Sequence, residues 1–302
     1  MKLTYRADLL LLLAALIWGL AFVAQRAGMS HVGPYTFNAV RFTLGALVLV
    51  PFLTARRRGA FLSALPGGAQ AGLALFLGAS LQQWGLVTTS AGKGGFITGL
   101  YVIVVPVLGA MEGRRTGWGT WLGAVMAAGG LALLSLNRHM RFSHGDLLVL
   151  AGALIWAMHV LIIGRLMERF DALLIAFQQF ALVALLSLGA ALLMERGEHQ
   201  GLLEAALPLV YAGVLSTGVA FTLQVLAQRQ APPSHAAVLL SLESVFAALG
   251  GWLLLGERLG GRGLAGCGLM LAGMLSTQLL GRPRRARKRG GSEDPPLVRP
   301  TP

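Results

Sequence analysis

Asp8-Leu9-Leu10, followed by Ala15-Leu16-Ile17-Trp18, returns 138 residues downstream as Asp146-Leu147-Leu148 followed by Ala153-Leu154-Ile155-Trp156. Near the N-terminus, with Lys2 and Arg6 ahead of it, such a stretch could pass for a cleavable leader. A leader is not repeated in the interior, so both copies read as structure. The repeat extends further. Arg41-Phe42 matches Gln179-Phe180 at the same offset, Pro66 and Gln82 match Pro208 and Gln224 at 142, and Gly123 and Gly130 match Gly266 and Gly273 at 143. This small drift fits loop insertions, and the chain divides into two units, 8–137 and 145–281.

Composition says where these units live. Of 302 residues, 55% are apolar and 12% charged, with mean hydropathy +0.69. A soluble domain carries roughly 25% charged residues because its surface must be solvated. This chain cannot clothe a water-facing surface. Apolar segments fall at about 8–26, 34–54, 69–88, 93–111, 117–136, 145–165, 171–194, 205–227, 232–255 and 261–281, each near the length that crosses about 30 Å of hydrocarbon. None alternates apolar with polar as a membrane barrel strand would. Five spans per unit is an odd number, so the second unit enters from the opposite side. The expected fold is an all-α integral membrane protein, with ten transmembrane helices arranged as two inverted five-helix repeats.

Net charge of +13 raises the question of nucleic acid, but seven of the 25 basic residues crowd into 282–302. That segment reads as a basic disordered cytoplasmic tail lying along anionic lipid through 282–289, with no nucleic-acid partner. With the N-terminus inside, 17 basic residues flank the cytoplasmic face and 7 the opposite one, which places both termini in the cytoplasm of a multi-pass protein of the cell inner membrane. Cys267 is the single cysteine, so no intramolecular disulfide or thiolate cluster can form. No metal-ligand spacing, phosphate loop or nucleophile elbow occurs, and no cofactor is expected.

Several stretches together resemble the EamA-type permeases of the drug/metabolite transporter superfamily. They are Ala15-Leu-Ile-Trp-Gly19, Gly95-Phe-Ile-Thr-Gly-Leu-Tyr101 with Pro106 beyond it, Leu242-Glu-Ser-Val-Phe-Ala-Ala248, and Leu254-Leu-Gly-Glu-Arg-Leu259 with Gly266 and Gly273 downstream. The resemblance spans about 8–281 and implies transport of a small metabolite or drug, commonly export, across a cytoplasmic membrane. The chain departs from the family's frequent Leu-Glu-Pro by reading Leu242-Glu243-Ser244.

Glu243 is the sharpest single residue. A carboxylate among Leu239-Leu240-Ser241-Leu242 and Val245-Phe246 costs about 2.5–3.5 kcal/mol to place at bilayer depth, so it should face the interior. It reads either as a proton-coupling or substrate-contacting acid or as a hydrogen-bonded lock between helices. Gln82, Gln83, Gln178, Gln179 and Gln224 lie in apolar spans and need either a polar cavity or a neighbouring helix. Trp18 and Trp156 are repeat mates too deep for an interfacial belt. With Tyr101, they could wall a substrate site or simply pack. His159, three residues after Trp156, could titrate or hydrogen-bond as a neutral ring. Arg41 could hold a substrate carboxylate or snorkel to the interface. Glu257 and Arg258 sit at a helix end, where capping explains them. The glycine faces of segments five and ten permit close packing within the bundle or, as a homodimer, between protomers.

The reading that gathers these features is a secondary transporter moving a small organic solute by alternating access, driven by protons, sodium or exchange. An integral membrane enzyme acting on a lipid-linked substrate needs surface catalytic groups, which loops this short do not supply. A scaffold or receptor needs an output domain.

Overall fold

A computed structural model of the chain describes residues 2–53, 58–111, 117–135, 143–195, 201–231 and 233–280. The tail with its basic stretch 282–289 lies outside the described residues, as do Arg56, Arg57, Arg114, Arg115, Arg138, Arg141 and Arg196 of the loop-charge argument. Every regular element among the described residues is helical, as a chain without water to satisfy its backbone must be. In order these are α1 (Lys2–Gly28), α2 (Pro34–Leu53), α3 (Arg58–Leu86), α4 (Ala91–Gly99), α5 (Tyr101–Met111), α6 (Trp118–Ser135), α7 (His144–Leu166) and α8 (Ala172–Met194). There follow α9 (Ala206–Val210), a π-helical stretch Tyr211–Ala220, α10 (Phe221–Gln228), α11 (Pro233–Leu240), α12 (Glu243–Leu255) and α13 (Gly261–Leu280). Seven of the described helical runs are long and apolar enough to cross a membrane, with Ala91–Met111 and Ala206–Gln228 each counted as one run. The chain is a multi-pass membrane protein. The remaining apolar segments read from sequence are occupied by α6, by α11 with α12, and by α13.

Segments four and nine, expected as continuous spans, are each broken. At Leu100 and again at Ser241-Leu242 the bonding tightens from the i−4 to the i−3 carbonyl: Leu100 N–H donates to Ile97 (3.2 Å) and Ile103 to Leu100 (2.9 Å), while Ser244 donates to Ser241 (3.1 Å) and Val245 to Leu242 (3.0 Å). The interruption in segment nine needs no proline. Tyr101 opens α5 and Glu243 opens α12, 142 residues apart, the same offset that relates Gln82 to Gln224. Glu243 therefore stands at a helix start rather than in mid-helix.

The halves interlock through counterparts: α6 packs on α13, α2 on α8 and α4 on α12, while α3 on α7 is mirrored by α1 against the π-helical stretch and α10. Small residues set the closeness of the α6–α13 pair. A Cβ on Gly130 would stand 2.6 Å from the Gly266 carbonyl oxygen, and one on Gly273 would stand 2.7 Å from that of Gly123. These repeat-related glycine faces are thus used inside the chain.

At the end of the bundle where α1 and α3 finish, three carboxylates of the second half hold the first. Glu195 accepts from the N–H groups of Tyr35 (2.6 Å) and Thr36 (2.7 Å) at the start of α2, and from the Thr36 hydroxyl (2.8 Å). Glu257, just past the left-handed Gly256, accepts from Ala91 (2.7 Å) and Gly92 (3.0 Å) at the start of α4. Both answer donors that a helix leaves unsatisfied, at its positive end. Asp146 forms a capping box with Ser143 at the start of α7, takes a hydrogen bond from the Thr89 hydroxyl (3.1 Å) and pairs with Lys93 (2.5 Å).

Candidate transport cavity

On α1, Trp18, Phe22 and Gln25 recur at helical spacing on one face, and that face borders a cavity. Arg41 of α2 and Gln82 of α3 meet it from the first half, together with Thr98 and Tyr101 on either side of the α4–α5 break. The second half supplies Trp156 and Val160 of α7, Ser216 of the π-helical stretch, Phe221 and Gln224 of α10, and Leu240 and Glu243 across the α11–α12 break. Both breaks thus open onto one space between the halves.

One wall is aromatic. Phe221 stands edge-on to Trp18 with ring centroids 4.6 Å apart, and 5.9 Å from Trp156. The indole N–H of Trp18 donates to the Ser216 carbonyl (3.1 Å), which already accepts the Phe221 N–H in the π-type pattern. The wider helical turn therefore fixes both rings. Trp156 is fixed by a relay: its indole N–H donates to Gln82 Oε1 (2.9 Å), Gln82 Nε2 to Gln25 Oε1 (3.0 Å), and Gln25 Nε2 to the Ala21 carbonyl (3.1 Å). Two tryptophans related by the repeat are held as rigid plates by different polar partners.

The charged lining residues sit apart. Arg41 is 2% exposed, its Nε donates to Asn38 Oδ1 (2.9 Å), and its guanidinium lies 4.7 Å from the centre of the Phe42 ring. It does not snorkel; the tight fit of α2 on α8 and the π-helical stretch keeps it inside. Glu243 is buried with no basic side chain in ion-pair contact among the described residues. The Tyr101 hydroxyl, on a residue of the same lining, makes no hydrogen bond to any described group.

Of the residues singled out from sequence, Trp18, Gln82, Tyr101, Trp156, Gln224 and Glu243 border this space, and Gln83, His159 and Gln179 do not. His159 and Gln179 bond each other (2.8 Å), with His159 edge-on to Trp156. Gln83 reaches the Gln25 carbonyl at 3.5 Å and Gln178 the Phe61 carbonyl at 2.8 Å. The span glutamines therefore divide between cavity and helix-to-helix bonds. Gln25, Thr98, Ser216 and Phe221 were missed. Gln25 carried the same signal as Gln82, an amide in an apolar run. Phe221 carried none, being one apolar residue among many.

A helical membrane bundle of two like halves, with a polar and aromatic cavity between them, has the build of a membrane transport protein. The model of the EamA-like transporter family matches the chain twice, over residues 5–136 and 143–278, and the chain belongs to that family. It is 32% identical over 244 residues, 80% of this chain and 76% of the other, to a protein of Archaeoglobus fulgidus named an uncharacterized transporter. It is 24% identical over 284 residues to a probable terminal-alkyne amino-acid exporter of Streptantibioticus cattleyicolor, covering 91% of this chain and 95% of that one. A crystal structure of a protein 22% identical superposes with a TM-score of 0.72 over 91% of this chain and 96% of that one, a likeness of fold alone.

Proposed function

We propose that the protein is a secondary transporter that exports a small organic solute across the cytoplasmic membrane by alternating access, coupled to protons through Glu243. In this reading it has ten spans in two inverted repeats, 8–137 and 145–281, with both termini in the cytoplasm, and performs no catalytic step. The observation that carries it is the meeting of the two helix breaks, at Leu100 and Ser241-Leu242, on one cavity. Discontinuous helices facing each other across a repeat interface are how secondary transporters place a site between halves that rock. Export is supported by the relative named as a probable amino-acid exporter. Proton coupling is supported by Glu243, a carboxylate without a basic partner among the described residues, bordering the cavity. An acid so placed trades its charge for a proton whenever water reaches it from the more acidic side.

The test is uptake into liposomes of purified protein, screened against amino acids, amines, nucleosides and toxic organics, with and without an imposed pH gradient. Accumulation of at least one solute that follows the gradient is expected. No movement of any solute beyond protein-free vesicles would defeat the reading. Topology is checked with an impermeant thiol reagent on intact cells: a cysteine at 138 should react and one at 57 should not.

A further inference from the structure

We infer that the ligand of this cavity carries a carboxylate and that Arg41 is the group that receives it. The inference names the substrate class of the transport reading and rests on that reading. A full charge removed from water without a counter-ion is costly, and proteins keep one only where pairing or function compensates. Arg41 is 2% exposed, and no carboxylate lies within ion-pair distance among the described residues. Its protein contacts are the Nε bond to Asn38 and the flat faces of Phe42 and Phe37, with centroids 4.7 and 6.0 Å away. Those contacts engage the Nε and leave the terminal nitrogens without a hydrogen bond to a described residue, while the residue borders the cavity. Glu243 borders the same space and is not paired with it.

Unmet polar groups around the cavity point the same way. On the lining, the hydroxyls of Thr98 and Tyr101 and the Oε1 of Gln224 are buried without a partner among the described residues; Asn38, which turns its oxygen to Arg41 from outside the lining, has an unpartnered Nδ2 as well. Buried polar atoms are ordinarily satisfied, so those on the lining are groups that a ligand or its water can satisfy. Beside Arg41, on Asn38, the unpartnered group is an amide donor, and the guanidinium itself has only its Nε bonded to a described residue; the one unpartnered acceptor-only atom on the described lining is Gln224 Oε1. A planar fork of donors matches a carboxylate, which it can hold with two parallel hydrogen bonds. Trp18, Phe221 and Trp156 offer a flat apolar wall to the rest of the molecule, which suits a hydrocarbon-bodied acid better than a strongly hydrated dianion. The receptor belongs to one half only. At the matched position of the second half stands Gln179, already engaged by His159.

The test uses three probes with one body and different heads, 3-phenylpropionate, 3-phenylpropionamide and 3-phenylpropylamine. Their binding to the purified full chain is read by quenching of tryptophan fluorescence. The acid is expected to bind at least about tenfold more tightly than either the amide or the amine, as loss of a charge-assisted fork would produce. Arg41→Gln should abolish that preference, and Arg41→Lys should keep it with weaker affinity, since a lysine retains charge without the fork. Equal or tighter binding of the amide or amine by the wild-type protein would overturn the inference, even if Arg41→Gln fails to fold. So would unchanged acid binding in a folded Arg41→Gln protein, or no acid binding at all. The solute screen in liposomes separates the two proposals: acid binding that meets these criteria in a protein that moves no solute leaves the receptor standing and removes transport, whereas transport of other solutes without acid-selective binding removes the receptor alone.

Discussion

The two halves share a backbone plan and part company at their matched polar positions. Trp18 and Trp156 are mates, as are Gln82 and Gln224, and all four border the cavity. Arg41 instead faces a neutral mate in Gln179, and Glu243 has Tyr101 in its place across the breaks. Duplication built the frame and the walls twice, while each charge was installed once, the cation in the first half and the acid in the second. On the proposed mechanism, symmetry would carry the motion and asymmetry the chemistry: rocking needs two similar bodies, but a ligand with a distinct head and tail, and a proton to be counted, would each need a single dedicated group.

The sharpest way to break the comparison is to remove the second half's acid. Glu243→Gln keeps shape and hydrogen-bonding capacity. The pH-driven component of liposome uptake should fall by about 100-fold or more, as loss of a proton-transferring group commonly does. A variant with the wild-type response to a pH gradient would make Glu243 a structural residue. The next largest effect concerns the frame. Gly273→Leu drives a side chain into the Gly123 carbonyl and should cost about 1–3 kcal/mol, read as a lower midpoint of thermal unfolding in detergent. Gly268→Leu on the same helix meets nothing within 4 Å and should leave the midpoint unchanged. Tyr101→Phe sharpens the comparison by removing from the cavity a first-half hydroxyl that has no partner among the described residues. A change of about threefold or less in pH-driven uptake is expected, since no hydrogen bond within the protein is broken. The smallest effect belongs to the clamps. Glu257→Gln leaves an amide over the start of α4 and should lower stability by about 0.3–1 kcal/mol, a loss that shrinks with added salt.

The frame was legible because it rests on periods and lengths. Twenty-residue apolar runs, the Asp-Leu-Leu and Ala-Leu-Ile-Trp echo and the paired glycines of segments five and ten each encode a contact by spacing alone. The breaks were not legible. Ser241-Leu242 and Leu100 carry neither proline nor a left-handed glycine, and a switch from i−4 to i−3 bonding is decided by how α4 and α12 press together. Arg41 was open between two readings because sequence places it a fixed number of residues into a span without saying which face of α2 is covered. Glu195 trails Leu192-Leu-Met194 with no local signal of a partner; that it closes the start of α2, some 160 residues earlier, depends on the meeting of distant ends. Distances within one helix can be counted from sequence, whereas encounters between halves cannot.

The pairing of counterparts also bears on how the molecule is made. By the time a ribosome has reached residue 135 it has produced α6 with its small-residue face, and the partner that fills it, α13, begins only at Gly261. The same delay separates α2 from α8 and α4 from α12. Contacts so remote in the chain assemble slowly and leave early elements uncovered meanwhile. Arg41, buried in the finished bundle, spends that interval in a helix whose partner α8 has not yet been synthesised. A nascent chain halted before its last twenty helical residues therefore lacks the partner of the α6 glycine seam, and the closest inter-half fit can form only once α13 has been made.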